Sequence, residues 1–158
     1  PAALYYEENG LGRPIDRQEA LEVLDQAEKA GLVLQPSNTQ RVDNICTCCG
    51  CCCQVLINLK RLPEPARHAS SNYFASIDPE LCAGCGTCLG RCQMEAIDMG
   101  EETASVLRNR CIGCGLCVTT CPEEAIRLQE KPEVERSTPP IDRRERFRIV
   151  SEERLAKD

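Results

Sequence analysis

Eight cysteines between Cys82 and Cys121 fall into two runs of one spacing, C-x2-C-x2-C-x3-C. The first is Cys82, Cys85, Cys88 and Cys92, and the second is Cys111, Cys114, Cys117 and Cys121. Thiolates are soft, anionic donors, so this many at short fixed intervals suit an iron–sulfur cluster or zinc. A cubane needs four thiolates converging on it from different directions. A tight loop with Cys at every third position can aim three at one cluster, and Gly84, Gly86, Gly113 and Gly115 let the backbone wrap closely. The fourth Cys lies where a helix has begun, so it points away and serves the other cluster. On this reading Cys82, Cys85, Cys88 and Cys121 hold one 4Fe-4S cluster. Cys111, Cys114, Cys117 and Cys92 hold a second. Zinc sites pair Cys-x-x-Cys units across a long insert, and neither they nor a disulfide framework calls for four cysteines in one loop.

A second constellation lies upstream. In Asn44-Ile45-Cys46-Thr47-Cys48-Cys49-Gly50-Cys51-Cys52-Cys53, six cysteines occupy eight positions. Cys46, Cys49 and Cys52 keep a C-x2-C-x2-C register, and a fourth ligand would come from Cys48, Cys51, Cys53 or a partner chain. Adjacent cysteines tend to point in opposite directions, so six thiols do not all reach one cubane. A third iron–sulfur cluster, zinc or another thiolate-bound metal, and a thiol–disulfide pair are all open. The threefold register and the neighbouring clusters favour the third iron–sulfur centre. His68, the one histidine, stands in a Pro/Ala/Ser-rich segment and reads as exposed rather than as a ligand.

The elements that must position these thiols repeat as well. At an offset of 29 residues Glu95-Ala96-Ile97 matches Glu124-Ala125-Ile126, Met99 matches Leu128, and Ile77 matches Val106. Strands are expected over 72–77 and 105–107, extended pieces over 95–99 and 126–128, and a short helix starting within 89–93. Ile112 and Leu116 would shield the second cluster. Ala83 and Thr87, smaller and more polar, would leave the first one wetter. Ahead of this module, within residues 1–14, Asn9-Gly10-Leu11-Gly12 and Arg13-Pro14 read as turns, with Tyr5 and Tyr6 packing on a helix over 17–30. Asp16 and Glu19 begin that helix in the manner of a capping box, and Gly31 ends it. A short strand or extended exit over 32–34 leads to a turn at 35–38. A further helix over 54–62 is stopped by Pro63 and Pro65. Beyond Lys131, Pro132, Pro139 and Pro140 form a linker. Asp142 then caps a charged helix carrying Phe147, Val150 and Leu155, either a solvated tail or a docking element. The segments are therefore 1–44, helical; 45–71, Cys-rich and metal-binding; 72–131, the two-cluster module; and 132–158, linker and charged tail.

Fourteen cysteines, five aromatic residues and no Trp among 158 residues make a poor conventional core. Metal binding is then expected to supply folding energy, with the metal-free chain largely unfolded. No apolar run approaches membrane-spanning length. No signal peptide is visible, and cysteines in cluster spacing fit a reducing compartment, so a cytoplasmic location is expected. The formal charge is -6, and two oxidised cubanes at roughly -2 each would bring it to about -10. Such acidity suits docking onto a basic partner surface and argues against nucleic acid, although it also serves solubility.

Residues 72–130 resemble the bacterial two-cluster ferredoxins. The Pro usual after the fourth Cys is present as Pro122 but replaced by Gln93 in the first half. More widely, residues 13–130, with ICTCCGCCC ahead of the module, resemble a group of 4Fe-4S dicluster proteins of bacteria and archaea that carry a similar Cys-rich stretch. The resemblance implies electron transfer and names no substrate. The expected fold is α+β: a ferredoxin-like, pseudo-twofold two-cluster module behind a helical, Cys-rich N-terminal extension, with a C-terminal tail. The expected function is an electron carrier, or the electron-transfer subunit of a larger oxidoreductase complex. A catalytic module with an open iron at 46–53 and a structural assembly subunit are the alternatives.

Overall fold

The computed structural model describes residues 2–156. Its first helix, α1 (Ala2–Glu8), precedes the expected turn, which follows at Gly10 with φ +67°. Tyr5 and Tyr6 do not bury their rings on the next helix. Both stand exposed and meet each other edge to face, centroids 6.1 Å apart. Helix α2 (Arg17–Lys29) begins as its sequence dictates, with the Asp16 carboxylate accepting from the Glu19 N–H at 2.8 Å. It ends in a Schellman motif. The Gly31 N–H donates to Glu28 O and the Leu32 N–H to Ala27 O, with Gly31 at φ +80°.

The chain then makes an antiparallel hairpin, β1 (Val33–Pro36) with β2 (Ile45–Cys48), in the register Val33↔Cys48 and Gln35↔Cys46. The expected turn at 35–38 therefore starts later, because Gln35 and Pro36 are still paired. Buried Thr39 holds the connecting loop, donating to Arg41 O at 2.9 Å. Cys53 stands at the N-cap position of helix α3 (Gln54–Arg61), which buries Leu56 completely. A 3-10 turn at Pro65–His68 follows.

The two-cluster module is built from exchanged strands. β3 (Tyr73–Ile77) pairs with β6 (Ile126–Glu130), while β4 (Ile97–Met99) pairs with β5 (Ala104–Val106), both antiparallel. The 29-residue repeat recurs bond for bond. Asp78 N–H donates to Ala125 O at 2.8 Å, and Leu107 N–H donates to Ala96 O at 2.8 Å. Glu95 and Glu124, the equivalent residues ahead of the second strands, are the only non-glycine positions with positive φ among the described residues, at 53° and 49°. Helix α4 (Thr87–Arg91) starts earlier than expected and stops before Cys92, whose backbone is extended. Cys92 thus leaves the loop at the C-terminal end of a helix, not at its start. The core of the module is small: Ala75, Met94, Ala96, Ile97, Ala104, Leu116 and Ile126, with Leu56 and Val33 joined to it from the N-terminal region.

Two arginines fasten the N-terminal region to the module. Arg91 donates to Lys29 O at 2.9 Å and to Glu28 O, the latter shared with the Gly31 N–H, at the end of α2, where a cation is favoured. Arg110 donates to Met94 O and Glu95 O on one side and to Lys60 O on the other. The last helix, α5 (Arg143–Leu155), is capped by Asp142, which accepts from the Glu145 N–H at 3.0 Å. Its approach is tied down by Arg41 N–H donating to Ile141 O and by an Arg143–Asp43 ion pair at 2.9 Å. Phe147 and Leu155 remain exposed. No helix among the described residues is long and apolar enough to cross a membrane.

Candidate metal centres

The two cysteine loops are shaped by backbone contacts that only glycine permits. Gly84 and Gly113 have φ of +64° and +67°. A Cβ would lie 2.4 Å from Glu102 O at Gly84 and 2.2 Å from Tyr73 O at Gly113, an equivalent pair 29 residues apart. The second loop closes against β3 and the first against the turn joining β4 to β5. This brings Cys82, Cys85 and Cys88 onto one void with Cys121. Cys111, Cys114 and Cys117 line another with Cys92. Each void therefore collects three thiols from one loop and the fourth from the other, the grouping expected from the spacing.

Backbone donors reach the sulfurs inside. Ala104 N–H donates to Cys82 Sγ at 3.5 Å, and its equivalent Ala75 N–H to Cys111 Sγ at 3.4 Å. Ala96 N–H donates to Cys92 Sγ at 3.2 Å. Donors of this kind stabilise thiolates and tune a bound cluster. The second void is the more apolar, faced by Met94, Ile97, Val106, Ile112 and Leu116, whereas Thr87 and Glu123 reach the first. Burial pushes the Cys117 thiol up to about 12 and raises that of Cys88, while the Thr87 hydroxyl beside Cys85 lowers that thiol. Thiols buried this way lose their protons to a metal rather than to water. The chemistry of the donor set, four thiols per void with N–H donors behind them, fits a 4Fe-4S cluster in each.

The 46–53 stretch is divided by its hairpin. Cys46 and Cys48 are two residues apart on β2, and Cys46 Sγ accepts from Asn44 Nδ2 at 3.7 Å. Cys53 turns toward Gln35, whose Nε2 is 4.0 Å from its sulfur, and toward Cys48. Burial and the neighbouring Cys53 push Cys48 up to about 11. Cys49, Cys51 and Cys52 form a separate group with all three sulfurs within 4.8 Å of one another. Hydrogen bonds from Cys51 and Cys52 hold Cys49 down to about 6, and Cys52 is pushed up to about 11 by Cys49. The expected register of Cys46, Cys49 and Cys52 is not the set brought together. His68 is exposed in its 3-10 turn and belongs to no such group among the described residues.

Gln93 links this loop to the module, a role sequence reasoning did not assign to it. Its Oε1 accepts from the Gly50 N–H at 2.8 Å, and its Nε2 donates to Gly31 O at 2.9 Å. It immediately follows Cys92 of the second void. The visible signal was the departure from Pro at this position. The signals for Arg91 and Arg110 were absent, because an arginine that binds remote carbonyls looks like any surface arginine in sequence.

Residues 75–128 match a family described as a 4Fe-4S dicluster domain, and residues 110–152 match a second family of the same description. The first match contains both cysteine runs, and the second begins at the second run and extends into α5. No curated protein matches the chain.

Proposed function

Since residues 75–128 are a two-cluster ferredoxin-type module, we propose that the chain is an iron–sulfur electron-transfer protein, a carrier or the electron-transfer subunit of a larger redox complex. The observation that carries this reading is the pair of voids, each lined by four cysteines. Bound there, a 4Fe-4S cluster takes up and releases one electron at a time. Cys82, Cys85, Cys88 and Cys121 would hold the first cluster. Cys111, Cys114, Cys117 and Cys92 would hold the second, in a pseudo-twofold arrangement that the exchanged bonds of Asp78 and Leu107 support. The residues around them set the environment. Ala104, Ala75 and Ala96 aim N–H groups at sulfur, and Met94, Ile97 and Leu116 keep water from the second site. Cys85 is exposed, so the first cluster offers an edge to a partner, beside the carboxylate of Glu123. A basic redox protein fits that edge. The Cys46–Cys53 loop adds a third thiolate metal centre, seated through Gln93 next to the Cys92 ligand.

Crossed ligation provides the test. In Cys121→Ser the disturbed EPR signal should be that of the cluster held by Cys82, Cys85 and Cys88, although Cys121 belongs to the other run. Loss confined to the cluster of Cys111, Cys114 and Cys117 would overturn the assignment.

A further inference from the structure

The loop at 49–52 is closed by three contacts. The Cys53 N–H donates to Cys49 O at 3.2 Å, Cys49 Sγ lies 3.1 Å from Cys52 Sγ, and the Gly50 N–H is held by Gln93. One turn therefore carries Cys49, Cys51 and Cys52 to a common point, their sulfurs all within 4.8 Å of one another. No other three ligand atoms among the described residues come so close. The eight ferredoxin-type cysteines line shared voids without doing so.

That contrast bears on how many metal ions each place can hold. In a cubane every thiolate sits on its own iron at its own corner, and the body of the cluster keeps the sulfurs apart. Around one tetrahedral ion, with metal–sulfur bonds of about 2.3 Å, thiolate sulfurs stand only about 3.8 Å from each other. The triad, its sulfurs all within 4.8 Å and Cys49 Sγ only 3.1 Å from Cys52 Sγ, lies on the compact side of this contrast, where a single ion can reach all three. Building on the third-centre reading above, we infer that Cys49, Cys51 and Cys52 form a mononuclear site for one soft divalent cation, zinc or ferrous iron, rather than a third cubane. Three thiolates leave the fourth position of a tetrahedron open. Cys51 and Cys52 are both exposed, so that position faces water or a small soft ligand. Cys48 and Cys53, turned toward Gln35, and Cys46, beside Asn44, lie outside the site.

The test uses the full chain purified anaerobically, with iron, zinc and acid-labile sulfide counted per chain in wild type, Cys51→Ser and Cys46→Ser. Cys46 and Cys51 are exposed, so neither change burdens the core. Wild type should carry one metal ion beyond the roughly eight irons of two cubanes, as zinc or a ninth iron, with no sulfide beyond eight. Cys51→Ser should lose that one ion and nothing else. Cys46→Ser should keep it. About twelve irons and twelve sulfides, with four of each lost in Cys46→Ser, would replace the inference with a third cubane. Loss of the extra ion from both variants, or no extra ion and a Cys49–Cys52 disulfide by alkylation mapping, would also overturn it. Fewer than about eight irons and sulfides in all three proteins would fall on the two-cluster reading instead, and the extra ion would still be decided by Cys51→Ser.

Discussion

Gly84 and Gly113 show how much of each cluster loop rests on a single missing side chain. At Gly113 a Cβ would meet the backbone carbonyl of Tyr73, in β3, at 2.2 Å, and at Gly84 that of Glu102, in the turn joining β4 to β5, at 2.4 Å, so in each case the backbone itself must move to make room. Gly113→Ala should therefore lose the EPR signal of the cluster held by Cys111, Cys114 and Cys117, and Gly84→Ala that of the other. Gly10 has the same positive φ, +67°, but nothing within 4 Å, so Gly10→Ala should cost only about 1–2 kcal/mol and leave iron content intact. Full iron in Gly113→Ala would show that the loop finds another path. Residues of this kind were legible in the sequence, because ligand spacing and the glycines between ligands are local facts. The grouping within 46–53 was not. Which of six adjacent cysteines meet depends on a turn anchored by Gln93, 43 positions away.

At the scale of elements, legibility follows the same division. The start and end of α2 are written in Asp16, Glu19 and Gly31, and the cap of α5 in Asp142. The β1–β2 hairpin was missed because its second strand, Ile45–Cys48, is half cysteine and was read for its ligands alone. Helix α1 is not written in its sequence, because no acidic residue in its first turn and no basic residue in its last marks its ends. What joins the hairpin and α2 to the module is buried Val33 together with a small set of polar tethers, of which Gln93 is the most specific. Proline is the residue expected there and occurs at the equivalent Pro122; Cys92, with ψ of 109°, already has the extended backbone that precedes proline. Gln93→Pro should thus leave the iron content near eight while removing both hydrogen bonds, each worth about 1 kcal/mol. Amide exchange over residues 49–53 should then quicken by roughly 5–30-fold. Unchanged exchange would mean that Gln93 does not hold the loop.

For the whole molecule, the decisive quantity is how little apolar core there is. Among the described residues the largest fully buried side chains are Leu56, Met94 and Pro65. The voids at the centre of the module are lined by thiols instead. A chain organised this way is expected to fold around its metals, and bound cubanes would add negative charge to the formal -6. Each void is lined by three cysteines of one loop and one of the other, so on the proposed ligation neither half would be complete alone. The measurement that bears most directly on this is iron and acid-labile sulfide content of anaerobically purified full-length chain, followed by EPR after full reduction. About eight sulfides per chain, with two reduced clusters close enough to broaden one another's signals, is the expected result. About four sulfides and a single unbroadened signal, or sulfide-free protein loaded with zinc, would contradict it.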